Sequence, residues 1–168
     1  NKTSTNLTEE FIRAIPKKFR KISTQFNSEN KLHLNRVYDI CDNYVLKLDK
    51  RYDELYSKFN ANRKRALKKT NRVTIEIDEQ LTSKEFLKFY SEYSIFQSSE
   101  FKELKLKKLL ELKQKKLIGI RYEGKLETSL LYFWDSKRIT YLLPVSTKKG
   151  KSIGLPTLLI THLLKKYQ

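Results

Sequence analysis

The stretch from residue 117 to residue 145 reads LIGIRYEGKLETSLLYFWDSKRITYLLPV, and it decides the fold. Apolar residues dominate three runs, at 117–123, 126–134 and 138–145, and a turn signal separates each run from the next. In the first turn, Gly124 can adopt a positive φ at little cost, as a tight hairpin requires. Three strands joined by two short turns predict an antiparallel meander.

Helices and further strands are predicted on both sides of this meander. Apolar residues recur at helical spacing before it, and Pro156 suits the first turn of a helix after it. In chain order, the predicted elements are a helix at 8–15, an exposed strand at 19–27, a strand at 44–49, a long helix at 51–70, a strand at 73–78, helices from 82 and at 100–115, and a final helix at 155–167.

This order of elements indicates an α+β protein. Strands do not alternate regularly with helices, so a doubly wound parallel sheet is excluded. We expect a mixed, largely antiparallel sheet flanked by helices.

The composition indicates a soluble, strongly basic protein. Hydrophobic residues make up 39% of the chain, enough for a packed core, and no apolar run is long enough to span a bilayer. The 36 lysines and arginines outnumber the 19 acidic residues, which leaves a net charge of +17. Such a charge attracts polyanions, although a general lysine bias would produce it too. The single cysteine, Cys41, excludes an internal disulfide, no Cys/His spacing indicates a metal site, and the cytoplasm is the expected location.

A glycine-containing segment follows the third strand of the meander. Its Gly-Lys-Ser sequence ends like a Walker A motif, but Val145 stands where that motif requires its first glycine, which argues against an NTPase. A loop that leads into a helix start exposes free N–H groups and is therefore an anion site. The alternative is a solvated loop whose lysines only add solubility. The residues predicted to bind a phosphate-bearing cofactor are Ser146, Lys148, Gly150, Lys151, Ser152 and Gly154.

The long helix predicted at 51–70 carries the second set of candidate ligands. Arg63 interrupts its apolar stripe, so we expect it to be paired or to face a cleft, because an unpaired buried charge is costly. Arg65 and Lys68 are candidate substrate ligands that could hold phosphates. The alternative is a basic, solvated helix face.

No catalytic residue can be assigned from the sequence. Glu127 and Asp135 lie on the predicted meander, where we expect them to be surface charges. His162 stands among leucines in the last helix and is expected to be packed or half-exposed.

The order of elements over residues 117–167 resembles the core of the GNAT acyltransferase fold. In that family the loop after the fourth strand holds the pyrophosphate of acyl-CoA, within a Gln/Arg-x-x-Gly-x-Gly/Ala pattern. Residues 148–154 are a loose version, with an extra residue or two between the glycines.

Residues 44–69 resemble the opening of the second GNAT domain of FemABX-like proteins. The shared features are a strand ending in Leu-Asp, an aromatic-rich turn of helix, then Phe, Asn and paired basic residues. The strand end at 141–146 is similar as well. The positions that match the basic part of the pattern are Asn62, Lys64, Arg65, Leu67, Lys68 and Lys69.

The resemblance implies a domain organisation and an activity. Residues 44–168 would be a GNAT-like domain whose C-terminal strands lie beyond the sequence, and residues 1–43 the tail of a preceding similar domain or an N-terminal extension. The chain lacks methionine even at position 1, so we expect a processed product or part of a longer chain. The implied reaction transfers an acyl group from acyl-CoA or aminoacyl-tRNA to an amine, without a metal.

Two other functions remain open. A basic nucleic-acid-binding module would need exposed aromatic side chains for base stacking, for which Tyr132, Phe133, Trp134 and Tyr141 are the candidates. The second open function is that of a noncatalytic GNAT-like domain that serves only as a packing partner.

Overall fold

The computed structural model describes residues 4–19, 44–94, 100–135 and 138–168. The chain divides into two compact units, Asn1–Lys47 and Leu48–Gln168. In the first unit, helix α1 covers Ser4–Ala14. Apart from Phe19, the predicted strand at 19–27 lies outside the described residues.

The second unit contains the sheet and the remaining helices. Its elements are α2 (Tyr52–Ser57), α3 (Ala61–Thr70), β1 (Ile75–Asp78), α4 (Ser83–Tyr93), α5 (Glu100–Glu111), β2 (Lys115–Tyr122), β3 (Lys125–Trp134), β4 (Ile139–Ser146), α6 (Lys148–Ile153) and α7 (Leu155–Lys166). The fold is therefore α+β. No helix in the described segments has the length and apolarity needed to cross a membrane.

The four strands form one sheet in the order β1-β2-β3-β4, and each neighbouring pair is antiparallel. The predicted meander is thus confirmed. Its first turn places Glu123 at φ 52° and Gly124 at φ 74°, both in the left-handed region that suits a two-residue hairpin turn.

Helices cover both faces of the sheet. On one face, Leu155, Leu159 and Leu163 of α7 pack against apolar residues of β2 and β3. On the other face, the core consists of Leu81, Phe86, Leu106, Leu110, Leu117 and Leu131, so α4 and α5 cover the sheet there. Burial on two sides explains why β3 is apolar along most of its length rather than alternating.

Helix α4 begins where the sequence predicts. The Thr82 hydroxyl accepts a hydrogen bond from the backbone N–H of Glu85, and the Glu85 carboxylate accepts one from the backbone N–H of Thr82. This capping box satisfies two N–H groups that the helix would otherwise leave free. Arg121 of β2 donates to both Glu85 and Asp78, which ties the start of α4 to the sheet.

Two predicted elements are wrong. The segment 44–49 is not a strand, and Tyr44 is 91% exposed, because no strand among the described residues pairs with this segment. The long helix predicted at 51–70 is two helices, because Asn60 caps a new one: its side chain accepts a hydrogen bond from the N–H of Arg63 at 2.9 Å. A short polar side chain at this position competes with helix continuation.

Gly154 joins α6 to α7 in close contact with α3, and this contact generates a prediction. Its φ is 97°, and a Cβ there would lie 2.7 Å from the carbonyl oxygen of Ala66 on α3. Gly124 also has a positive φ, but a Cβ there would meet nothing within 4 Å. Gly124→Ala should cost only the left-handed strain of about 1 kcal/mol. Gly154→Ala should cost roughly 1–3 kcal/mol more, since overpacking adds to the strain.

Urea unfolding of the two variants beside the parent chain measures this difference. Equal losses of unfolding free energy would show that α3 does not pack on Gly154.

Candidate functional site

The segment predicted as an open anion-binding loop is helical. Residues 148–153 form α6, and the Thr147 hydroxyl caps it by accepting the N–H of Gly150 at 2.9 Å. At its end, the N–H of Gly154 donates to the carbonyls of Gly150 and Lys151. The prediction of a glycine-hinged loop is therefore wrong, because these glycines serve packing and helix termination rather than loop freedom.

Gly150 brings α6 against the sheet. A Cβ at this position would lie 2.4 Å from the backbone oxygen of Glu127 and 3.3 Å from its Cβ. Only glycine therefore permits this approach of α6 to β3. The same carbonyl of Glu127 accepts the N–H of Thr147 at 3.0 Å, which holds the start of α6 in place.

Glu127 occupies a bulge in β3. Ile120 pairs with Thr128 and Arg121 with Leu126, so Glu127 is the extra residue between them. Such a bulge redirects a side chain from its regular place in the sheet. Glu127 is only 7% exposed, and its carboxylate accepts a hydrogen bond from the Thr147 hydroxyl.

The expectation that Glu127 is a surface charge is therefore wrong. Alternation along a regular strand gives no warning of a bulge, so the sequence carries no clear signal of this burial. The predicted topology gives one cue. An antiparallel meander places the start of β3, which contains Glu127, beside the end of β4, where Thr147 begins the next helix. Asp135 is exposed as expected, and His162 is half-buried beside Glu79.

Several hydroxyl groups lie next to Glu127 on the sheet. Thr128 donates to the Val145 carbonyl at 3.0 Å and shares a hydrogen bond with the Ser146 hydroxyl. Ser129 is 1% exposed, and its hydroxyl has no hydrogen-bond partner among the residues that the structure describes. The junction of β3, β4 and α6 is thus the polar part of an otherwise apolar sheet.

Helix α3 packs along α6 and α7 on the other side. Ala66 contacts Gly154, as described above. The Arg63 guanidinium donates to the Thr157 hydroxyl at 3.2 Å, and the Lys69 ammonium donates to the Ser152 carbonyl at 3.3 Å. The structure therefore brings together the two sets of candidate ligands that lie far apart in the sequence.

Arg63, predicted to be paired or to face a cleft, is exposed, and its partner is the Thr157 hydroxyl rather than an acidic side chain. Its charge lies near Tyr141: burial raises the pKa of the Tyr141 phenol, and the Arg63 charge opposes that rise. Arg65 donates to Asn62 within its own helix at 2.6 Å, and Lys68 is exposed.

The helices α3 and α6 carry a group of exposed positive charges, which we call the basic seam. It consists of Arg63, Arg65, Lys68 and Lys69 on α3 and Lys148, Lys149 and Lys151 on α6. Within the described segments, only Lys149 of these seven forms an ion pair, with Glu123 at 2.9 Å. That carboxylate raises the pKa of the Lys149 ammonium. The seam can therefore hold a polyanion, while the described residues contain no group of side chains suited to a metal ion.

Thr147 generates a prediction because its hydroxyl has two roles. Thr147→Ala removes the cap of α6, worth about 1 kcal/mol, and leaves the buried Glu127 carboxylate without its donor, worth about 1–3 kcal/mol. Thr147→Ser keeps both hydrogen bonds and should cost less than about 1 kcal/mol. Thr140→Ala, at an exposed position of β4, is the matched control and should cost less than about 0.5 kcal/mol.

Chemical unfolding of the three variants measures these costs. If Thr147→Ala resembles Thr140→Ala, the hydroxyl does not support Glu127.

The comparisons with known proteins leave the family open. No protein-family model matches the chain, and no curated protein is similar to it in sequence.

Proposed function

We propose that the second unit is an N-acyltransferase domain of the GNAT type, similar to FemABX proteins, which transfers an acyl group from acyl-CoA or aminoacyl-tRNA to an amine. One observation carries the proposal: α6 lies between a buried carboxylate, Glu127, and the basic helix α3. A proton acceptor and a surface for phosphates are two of the things that this reaction requires of the protein.

The basic seam is the proposed binding surface for the donor. CoA and tRNA share phosphate groups, and lysines bind phosphate as mobile point charges. Lys68, Lys148 and Lys151 are exposed and form no ion pair with any described residue, so their charges are available to a ligand. This assignment keeps the predicted ligands but replaces loop amides with side chains as the groups that contact phosphate.

Glu127 is the proposed general base. The amine nitrogen attacks the acyl carbonyl carbon, and the C–S bond of acyl-CoA or the ester C–O bond of aminoacyl-tRNA breaks. CoA leaves as the thiolate, and the ribose oxygen of tRNA takes a proton from water as it leaves. The attacking amine loses one proton. The Glu127 carboxylate accepts this proton, and the Thr147 hydroxyl orients the carboxylate toward it. The low exposure of Glu127 suits its role as general base, because exclusion of water from the site limits hydrolysis of the acyl donor.

The topology supports the same proposal. The antiparallel β2-β3-β4 meander runs into helical segments over residues 115–166, which is the order that the resemblance implies. A helix in place of the expected loop is the main departure from that pattern.

Thermal unfolding of the whole chain with acetyl-CoA, CoA or ATP tests donor binding. We expect acetyl-CoA and CoA to raise the melting temperature, and the rise to continue with the logarithm of ligand concentration above Kd, because a ligand that binds only the folded state stabilises it. ATP should have a much smaller effect. The double variant Lys148→Gln/Lys151→Gln should lose most of the shift, while Lys107→Gln/Lys108→Gln on α5, which removes the same charge elsewhere, should keep it.

A second measurement follows release of the acyl group in the presence of a small peptide amine, with acetyl-CoA and with aminoacyl-tRNA as donors. Glu127→Gln should reduce the rate by about 10²–10⁴-fold without changing donor binding. Equal stabilisation by ATP and acetyl-CoA, together with no acyl release from either donor, would overturn the proposal.

A further inference from the structure

A cleft lies at the end of the sheet away from the basic seam. It has a volume of about 570 Å³, within the range of small-ligand sites. Every lining residue belongs to the second unit. They are Glu79, Gln80, Leu81, Thr82, Ser83, Lys115, Lys116, Leu117, Tyr132, Trp134, Lys166 and Tyr167.

The cleft contains an exposed aromatic surface. Trp134, the only tryptophan of the chain, is 44% exposed. Its ring centroid lies 6.2 Å from that of Tyr167, with an angle of 31° between the ring planes. The Tyr167 hydroxyl is held by the Tyr132 hydroxyl at 3.0 Å. Tyr167 is thus held by a hydrogen bond and contacts the Trp134 ring, while nearly half of Trp134 remains exposed.

The cleft is also positively charged. Its lining contains three lysines and only one acidic residue, Glu79. The Glu79 carboxylate is already engaged by the Lys166 ammonium and by His162 at 2.7 Å, and these hydrogen bonds lower its pKa.

Lys115 and Lys116 form no ion pair with the described residues. In the pairing of β2 with β3, Lys116 lies opposite Tyr132 and Lys115 opposite Phe133, so Lys116 shares a face of the sheet with Tyr132 and Trp134 while Lys115 lies on the other face. The free positive charge beside Trp134 is thus that of Lys116.

We propose that this cleft binds a nucleotide unit, with the base stacked on Trp134 and the phosphate held by Lys116. Stacking on an aromatic side chain beside cationic residues is the general means by which proteins bind single-stranded nucleic acid, and it tolerates any base. A free nucleotide offers the same base and phosphate. The chemistry required is therefore an aromatic ring with an attached anion.

The cleft is separate from the proposed acyl-transfer site. Glu127 and Trp134 lie near opposite ends of β3, about 23 Å apart at the rise of an extended strand. Evidence against the acyl-transfer site would therefore not count against nucleotide binding in this cleft, and the reverse also holds.

Because Trp134 is the only tryptophan, its fluorescence reports on this cleft alone. Titration of the whole chain with oligothymidylate, and separately with thymidine monophosphate, should quench the emission to a saturable limit. Quenching by both ligands identifies a nucleotide site, and quenching by the oligomer alone identifies a single-strand site. Binding of labelled oligomer without any change in Trp134 emission, or no binding at all, overturns the proposal.

Variants separate the cleft from the general charge of the protein. By fluorescence anisotropy of a labelled oligomer, Trp134→Ala should weaken binding about tenfold and Trp134→Phe much less, because a ring remains. Lys116→Gln should weaken binding and reduce the salt dependence by about 0.7 in log–log slope, as expected for one phosphate contact to a single strand. Lys107→Gln, which does not line the cleft, should leave the affinity and the salt slope unchanged.

Thermal unfolding of each variant controls for loss of the fold. The proposal also fails if Lys116→Gln and Lys107→Gln have equal effects or if Trp134→Ala binds as tightly as the parent chain.

Discussion

The close approach of Gly150 to the backbone of Glu127 is the constraint on which the functional end of the second unit depends. A Cβ at position 150 would lie 2.4 Å from a backbone oxygen that has no room to move within the sheet. The approach requires that residue 150 has no side chain, and it occurs where β3 bulges at Glu127.

The position of α6 then determines what lies around it. Thr147 must start the helix at the end of β4, which puts its hydroxyl on the Glu127 carboxylate. Gly154 ends the helix with a positive φ, which turns the chain into α7 over the sheet. Because Gly154 has no side chain, the backbone of Ala66 on α3 packs directly against it. A buried acid on one side of α6 and basic α3 on the other therefore share one cause, and the proposed chemistry uses both.

Local signals made much of this fold predictable. Gly124 in a short gap between apolar runs predicted the hairpin, and the Thr82–Glu85 pair predicted the start of α4; both depend on residues close in the sequence. Asn60 could also have been read as a helix cap, but the continuous apolar spacing around it favoured one long helix. The strand expected at 44–49 had suitable residues, yet a strand needs a partner, and composition does not supply one.

The candidate site was harder to predict because its contacts are between distant residues. Glycines at 150 and 154 indicate a flexible loop as readily as a close contact, and only the position of β3 and α3 distinguishes the two. The burial of Glu127 follows from a one-residue mismatch between strands, which no pattern in either strand displays. In contrast, the sequence predicted the basic character of α3 and α6, but it did not predict that the two helices lie next to each other.

Amide hydrogen exchange of residues 147–154 tests the central contact most directly. In the structure the N–H of Gly150 donates to the Thr147 hydroxyl at 2.9 Å, and those of Lys151 and Gly154 donate to backbone carbonyls at 3.1 Å. We expect these three amides to exchange at least about tenfold more slowly than those of Lys148 and Lys149 in the first turn, where a short helix leaves N–H groups free. Uniformly fast exchange across the segment would show an open loop and would contradict the account.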